Sequence, residues 1–331
     1  MRKKAYFKSV TIFLSILLVF SQLQLFSLPA YGETVSDQPL LFRSVGVAQN
    51  GTTYYVDGEG GNNANDGQSP ASAWRDFEKV NQTEFQPGDH LLLNAQSTWN
   101  NQLLHPKGNG TAAQKIVIDF YDTNDKGETI FETTRRPIIN GGGTYSTGTF
   151  KRAISGAVQL VNQEYWDISN LEVTNTPELD NLEGYKKPGD AQRAGILVLG
   201  YEQNRTFNSV TIRNNYVHDV QTEYYLNLSG NTATKRLKAV GGIIVLGSWF
   251  DENGNVVTAA NDHRTTTGFN DILIENNVIQ RVGLEGIRTK ADSDTSRGNT
   301  FYKMFSNITI RNNYLEDIAG DGIVLSEAKS G

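Results

Sequence analysis

The sequence predicts an all-β solenoid, a sheet coiled from repeated short strands, with a short helix closing its amino-terminal end. Three observations predict it. One phrase occurs three times, as VTIRNNYV at 210–217, ILIENNVI at 272–279 and ITIRNNYL at 308–315. Each copy alternates apolar residues like a strand with one buried face and then reaches an Asn pair, a residue type that tolerates left-handed backbone at sharp bends. Finally, a Gly-Ile strand start follows at a fixed distance, ten residues from Asn276 to Gly286 and ten from Asn312 to Gly322. A strand, a corner, a short strand and another strand, repeated, describe one turn of a solenoid.

Residues 1–32 read as a cleavable signal peptide. Arg2, Lys3, Lys4 and Lys8 form a basic start, an apolar run follows from Val10 to Phe26, and Ala30, Tyr31 and Gly32 make a small-x-small cleavage site. A membrane anchor is the alternative, and the polar Ser21, Gln22 and Gln24 argue against it. The expected product is secreted, starts near Glu33 and has no membrane attachment. Loss of the four basic residues takes the net charge from −6 to −10, a poor balance for nucleic acid or an anionic membrane. With no cysteine, neither a disulfide nor a thiolate site is available, so a repeated apolar core must supply stability. A monomer is expected.

Residues 33–50 read as a linker. Residues 51–153 form an amino-terminal cap and first coils, with strands at 52–56, 91–93, 115–119 and 137–141. Between them, Asp57–Gly67 is turn-rich, and a helix at 74–80 presents Trp74, Phe77 and Val80 on one side as a plug for the terminal rung. Residues 154–331 are regular coils, in which 156–161, 195–200, 242–247, 286–291 and 322–326 are equivalent strands. Residues 165–170 are a divergent copy of the Asn phrase, so that Ile168, Ile212, Ile274 and Ile310 align at intervals of 44, 62 and 36 residues. The excess over a plain turn must leave as loops. Segments 201–206, 248–268 and 291–304 follow Gly-Ile strands and 221–240 precedes one, so loops rim both borders of one sheet, the expected floor of a groove. Because a new strand begins at Asp321 and the sequence stops five residues after Ser326 without a cap, truncation within or just after a coil is expected.

Several stretches together carry a resemblance: YYVDGEGGNNANDGQSPASAWRDFEKV (54–80), FQPGDHLLL (85–93), WNNQLLHPKGNGT (99–111), KIVIDFY (115–121) and RPIINGGG (136–143), followed by the Asn-Asn and Gly-Ile coils. Over about 52–331 the chain resembles secreted proteins of the pectate-lyase-like superfamily, which contains polysaccharide lyases and glycoside hydrolases. The resemblance implies a single-stranded right-handed parallel β-helix acting on a polysaccharide. The calcium-binding aspartate series of pectate lyases is not found, nor are the paired Lys and Arg-His motifs of alginate and chondroitin lyases. Chemistry must therefore come from the residues themselves.

With Ile196, Ile243, Ile287 and Ile323 facing the core, the outward residues are Leu197, Leu199, Ile244, Leu246, Arg288, Lys290, Val324 and Ser326. One coil is doubly basic. The leading reading is β-elimination of a uronate-containing glycan, with Arg288 neutralising the carboxylate and Lys290 as base. The plain alternative pairs both with Glu285, Asp292 or Asp294. The rival reading is glycoside hydrolysis by two carboxylates drawn from Asp251, Glu252, Asp262, Glu285, Asp292, Asp294, Asp321 and Glu327. Glu285 and Asp321 stand out because each precedes the Gly of a Gly-Ile turn, one coil apart, although acidic residues there also serve to bond turn amides. Tyr224, Tyr225, Trp249, Phe250, Phe301 and Tyr302 are candidate sugar-stacking residues, while Trp74, Trp99 and Trp166 belong to the core or cap. His263 is either a proton-transfer group or an exposed loop residue, and His218 is structural. No cofactor is firmly indicated. Ca²⁺ at Asp57–Gly67 stays open, but the segment lacks ordered acidic spacing and a plain turn explains it. A third reading is a non-catalytic glycan-binding protein. Digestion separates the three: a lyase product gains ultraviolet absorbance, a hydrolase yields reducing ends without it, and a binder yields neither.

Overall fold

The computed structural model describes residues 41–143, 154–176, 192–221, 240–253, 255–257, 265–291 and 304–325. The segment 1–32, read above as a signal peptide, lies outside them. The described residues form a right-handed parallel β-helix whose coils contribute strands to three sheets. The first sheet stacks Thr53–Val56, His90–Asn94, Ile116–Thr123, Trp166–Ser169, Thr206–Arg213, Gly268–Glu275 and Phe305–Arg311. The second stacks Thr98–Asn100, Ile138–Asn140, Glu172–Asn175, Tyr216–Val220, Val278–Val282 and Tyr314–Ile318. The third stacks Ile154–Val161, Gln192–Gly200, Gly241–Gly247, Glu285–Ala291 and Ile323–Leu325, and Leu104 adds a parallel bridge to Val158 one coil earlier.

The register follows the repeat. Ile168, Ile212, Ile274 and Ile310 are successive partners in the first sheet, and Ile196, Ile243, Ile287 and Ile323 in the third. A parallel sheet with one face in a shared core holds register strongly, since a one-residue slip would turn every apolar side chain outward. The core is continuous along the helix, and Phe207, Phe269 and Phe305 stack in it with ring centroids 5.7 and 5.6 Å apart.

Both halves of the Asn pair have a structural reason. The first Asn turns the corner in left-handed backbone, with φ of 55° at Asn214 and 54° at both Asn276 and Asn312. The second points into the corner and forms a ladder. Asn215 Nδ2 donates to Asn277 Oδ1 at 3.1 Å, and Asn277 Nδ2 to Asn313 Oδ1 at 2.9 Å. Each Nδ2 also reaches a strand carbonyl, Ile168 O, Ile212 O or Ile274 O. The divergent copy keeps the left-handed Asn170 but has Leu171 in the ladder position, and its N–H donates to Asn215 Oδ1.

The glycine of Gly-Ile marks the next corner, where successive coils come too close for a side chain. A Cβ on Gly286 would sit 2.4 Å from Gly322 O and 2.6 Å from the Leu315 side chain, and one on Gly242 would sit 2.7 Å from Gly286 O. Glycine is required there for space rather than for dihedral freedom.

At the amino-terminal end the helix is Phe77–Gln82, starting later than 74 because the Asp76 side chain caps it by accepting from Glu78 N. Trp74 stays extended, bridging to Val56 and stacking on Tyr54 at 5.0 Å, while Phe77 and Val80 plug the core as expected. Within Asp57–Gly67, the Asp57 carboxylate accepts from Glu59 N and Gly60 N, and Asp66 accepts from Gln68 N, as in ordinary turns. The described part of the segment read as a linker is bound to the coils. Phe42–Arg43 pairs with Glu132–Thr133, Asn170 Nδ2 donates to Arg43 O, Val45 N donates to Asp119 Oδ2, and His90 Nδ1 meets Gly46 O at 2.7 Å. This strap staples successive coils together, and the Arg136 guanidinium lies 3.8 Å over the Phe42 ring.

Asn277 makes four side-chain hydrogen bonds in the ladder, so Asn277→Ala strands several buried groups and is expected to destabilise the fold by about 3 kcal/mol. Asn276→Gly keeps the left-handed corner and is expected to stay within about 1 kcal/mol of neutral. Chemical denaturation of both variants measures the contrast.

Candidate active site on the third sheet

The outer face of the third sheet divides into two parts. Leu197, Leu199, Ile244 and Leu246 do face outward, but they form a small cluster with Ile154 and Ala194, packed by Val161 and Tyr201, and are at most 1% exposed. The expected open floor is therefore closed over the first regular coils. The physical reason is apolar area, since a sheet with a leucine-rich outer face becomes a second core once anything covers it.

The polar part begins with the coil Glu285–Ala291. Its register places Arg288 beside Ile244 and Val324, and Lys290 beside Leu246. Arg288 Nη1 lies 3.2 Å from Glu285 Oε1, with only 15% and 9% of the two side chains exposed. The pairing that the plain alternative foresaw for Arg288 is thus present. Lys290 is half-buried at the far border of the same strand.

Glu285 is the most unusual group on this coil. The tight corner that excludes a side chain at Gly286 draws Glu285 out of water, and its Oε2 is buried without a hydrogen-bond partner among the described residues. Burial pushes its carboxyl above the usual range, Arg288 pulls it back, and Asp321 pushes it up again. Asp321 stands at the same position one coil later, where its carbonyl accepts from Gly286 N at 3.0 Å. The two carboxylates singled out by spacing are thus neighbours. A carboxyl held toward its protonated form beside a second carboxylate can supply an acid and a base to one bond.

Trp249 and Phe250 follow the strand Gly241–Gly247, half-buried, with ring centroids 3.7 Å apart. Asp251 is used in a turn, accepting from Asn253 N and Asn255 N. Tyr224, Tyr225, His263 and Tyr302 lie outside the described residues, as do Asp262, Asp292, Asp294, Phe301, Ser326 and Glu327. His218 sits on the second sheet between Asp219 Oδ2 at 2.6 Å and Glu172 Oε1 at 3.1 Å, a structural setting away from the third sheet.

Two residues of the third-sheet face had no sequence signal. His105, next to Leu104, meets Gln159 Nε2 at 2.9 Å, and burial, followed by Lys107, lowers its pKa to about 4. Tyr201 packs on the apolar cluster, and burial, followed by Glu252 beside it, pushes its hydroxyl up to about 12. Their partners come from other coils, so no local spacing announces them.

No family model matches the chain. It is 28% identical, over 84% of its length, to a lacto-N-biosidase of Bifidobacterium longum subsp. longum, of which it spans 19%. In fold it is similar to the GH136 lacto-N-biosidase of Eubacterium ramulus, with a TM-score of 0.62 and 24% identity over 84% of this chain and 43% of that one. The chain therefore spans less than half of either protein. A pectate lyase, Pel9A, is a distant likeness at a TM-score of 0.34 and carries no argument about chemistry.

Because the Arg288 guanidinium holds the Glu285 carboxyl down, Arg288→Met is expected to raise the Glu285 pKa further. A carboxyl titration by difference infrared spectroscopy, referenced to Glu285→Gln, checks it.

Proposed function

We propose that this chain is the β-helix part of a secreted glycoside hydrolase, exported by the segment 1–32, that cleaves a glycan with terminal lacto-N-biose. The observation that carries this reading is the Glu285 carboxyl, 7% exposed, raised by burial and set one coil from Asp321. The names of the two lacto-N-biosidases support the substrate. In this mechanism Glu285 gives its proton to the glycosidic oxygen as the bond to the anomeric carbon breaks. The Asp321 carboxylate bonds that carbon, and the aglycone leaves as an alcohol. Water then displaces Asp321, losing its proton to Glu285, so both groups return to their starting forms. Arg288, already beside Glu285 Oε1, balances the negative charge on Glu285 between the two steps. Neighbouring strands lie about 4.8 Å apart. That favours the close carboxyl pair of a retaining enzyme, about 5–5.5 Å, over the wider inverting pair.

This reading replaces β-elimination as the leading one. Arg288 is bound to a carboxylate of its own chain, so the cation that elimination calls for is already paired. Neither similar lacto-N-biosidase carries a lyase's name.

Glu285→Gln and Asp321→Asn are each expected to lower kcat by about a thousandfold on a natural glycan, measured on the full-length protein. The product should keep its anomeric configuration, which proton NMR of the first turnovers reads. Because Glu285 must be protonated to act and its pKa is raised, kcat/KM should fall as pH rises through a value above 4.5, and Glu285→Gln should lose that limb. An unsaturated, ultraviolet-absorbing product would overturn the reading.

A further inference from the structure

The cover over the apolar part of the third sheet has an anchor that the chemistry above does not use. The chain leaves the strand Gly241–Gly247 and turns at once, with Phe250 N donating to Ser248 Oγ at 3.0 Å and Phe250 forming an antiparallel bridge to Val256. Asp251 closes the hairpin through Asn253 N and Asn255 N, at 3.0 and 2.7 Å. At its turn, the Glu252 carbonyl accepts from Ile154 N at 3.1 Å, reaching the start of a strand two coils earlier. The Glu252 side chain meets Tyr201 from the intervening coil, and Tyr201 packs against the apolar cluster of the third sheet. One residue thus ties the hairpin to two other coils. The hairpin leaves Gly247, which pairs with Ala291 at the border opposite Glu285, so Trp249 and Phe250 start beside the Lys290 end of the charged coil. From there the chain crosses back to Ile154.

We infer that this hairpin is the wall of the cleft, with Trp249 as the ring against which a sugar stacks and Glu252 as the residue that positions it. The assignment rests on the hydrolase reading above. A wall there separates the covered apolar coils from the charged coil, so the glycan is held against Trp249 and does not continue along the sheet. The Trp249 and Phe250 rings, 3.7 Å apart, support each other and give an apolar face of the kind that packs on the C–H side of a pyranose. Glu252 does not touch the reacting atoms. It sets where the ring stands, through its carbonyl on Ile154 and its carboxylate on Tyr201.

The test uses the full-length protein with an aryl lacto-N-bioside for kinetics and free lacto-N-biose for calorimetry. Trp249→Ala and Glu252→Ala are each expected to raise KM about tenfold or more, and to weaken lacto-N-biose binding equally, while kcat stays within about threefold. Glu252→Gln, which can still accept from Tyr201, should restore KM, a rescue that general loss of folding would not give. An unchanged KM in Trp249→Ala overturns the inference, as does a Glu252→Ala variant that loses kcat and keeps KM. The two proposals fail separately. A Glu285→Gln variant with full activity refutes the acid assignment, yet weaker lacto-N-biose binding by Trp249→Ala would still support the wall.

Discussion

Everything in this protein depends on each coil matching the one beneath it, in register and at strand spacing, around three corners. Two residue types meet that demand where the chain must bend. Asparagine accepts the left-handed dihedral at one corner and, in the next position, bonds upward, downward and to the strand at once. Glycine meets it at the other, where the backbone of the next coil stands 2.4 Å from the place of a Cβ on Gly286. A side chain at the glycine position would separate the coils, and loss of the asparagine amide would leave its corner groups unpaired. Stacked repeats stabilise one another through these neighbour contacts, so a local fault at a corner propagates along the stack.

The proposed site follows from the same constraint. The close corner at Gly286 buries the preceding Glu285, and burial lifts its carboxyl. Repetition by one coil then places Asp321 beside it. Repeating the corner repeats the position before its glycine, so acidic residues there in two successive coils, Glu285 and Asp321, become neighbours without any dedicated loop. Of the insertion after Gly247, the Glu252 carbonyl returns to Ile154 N two coils earlier, so that insertion is tied to the same stack.

The fold was largely legible. The alignment of Ile168, Ile212, Ile274 and Ile310 and the Gly-Ile starts became the register of two sheets, because a period of stacked coils is written directly into the positions of core residues. The cap was legible in content, and its helix began late because Asp76 forms a better start than Trp74. Less of the site was legible. Spacing singled out Glu285 and Asp321, and alternation put Arg288 on the outer face. Neither could show that Leu197, Leu199, Ile244 and Leu246, outward by the same alternation, would be buried.

The sequence by itself determined the three-sided coil, the direction in which each strand residue points and the two corners, since all are set by local dihedral preference and apolar period. Tertiary structure decided which outward residues meet water and which carboxylate is raised. It also decided that Arg288 belongs to Glu285, and that Tyr201 and Glu252, 51 positions apart in the chain, share one contact. Those are matters of distance between coils and of exclusion from solvent. Neither is encoded in the order of residues along any one strand.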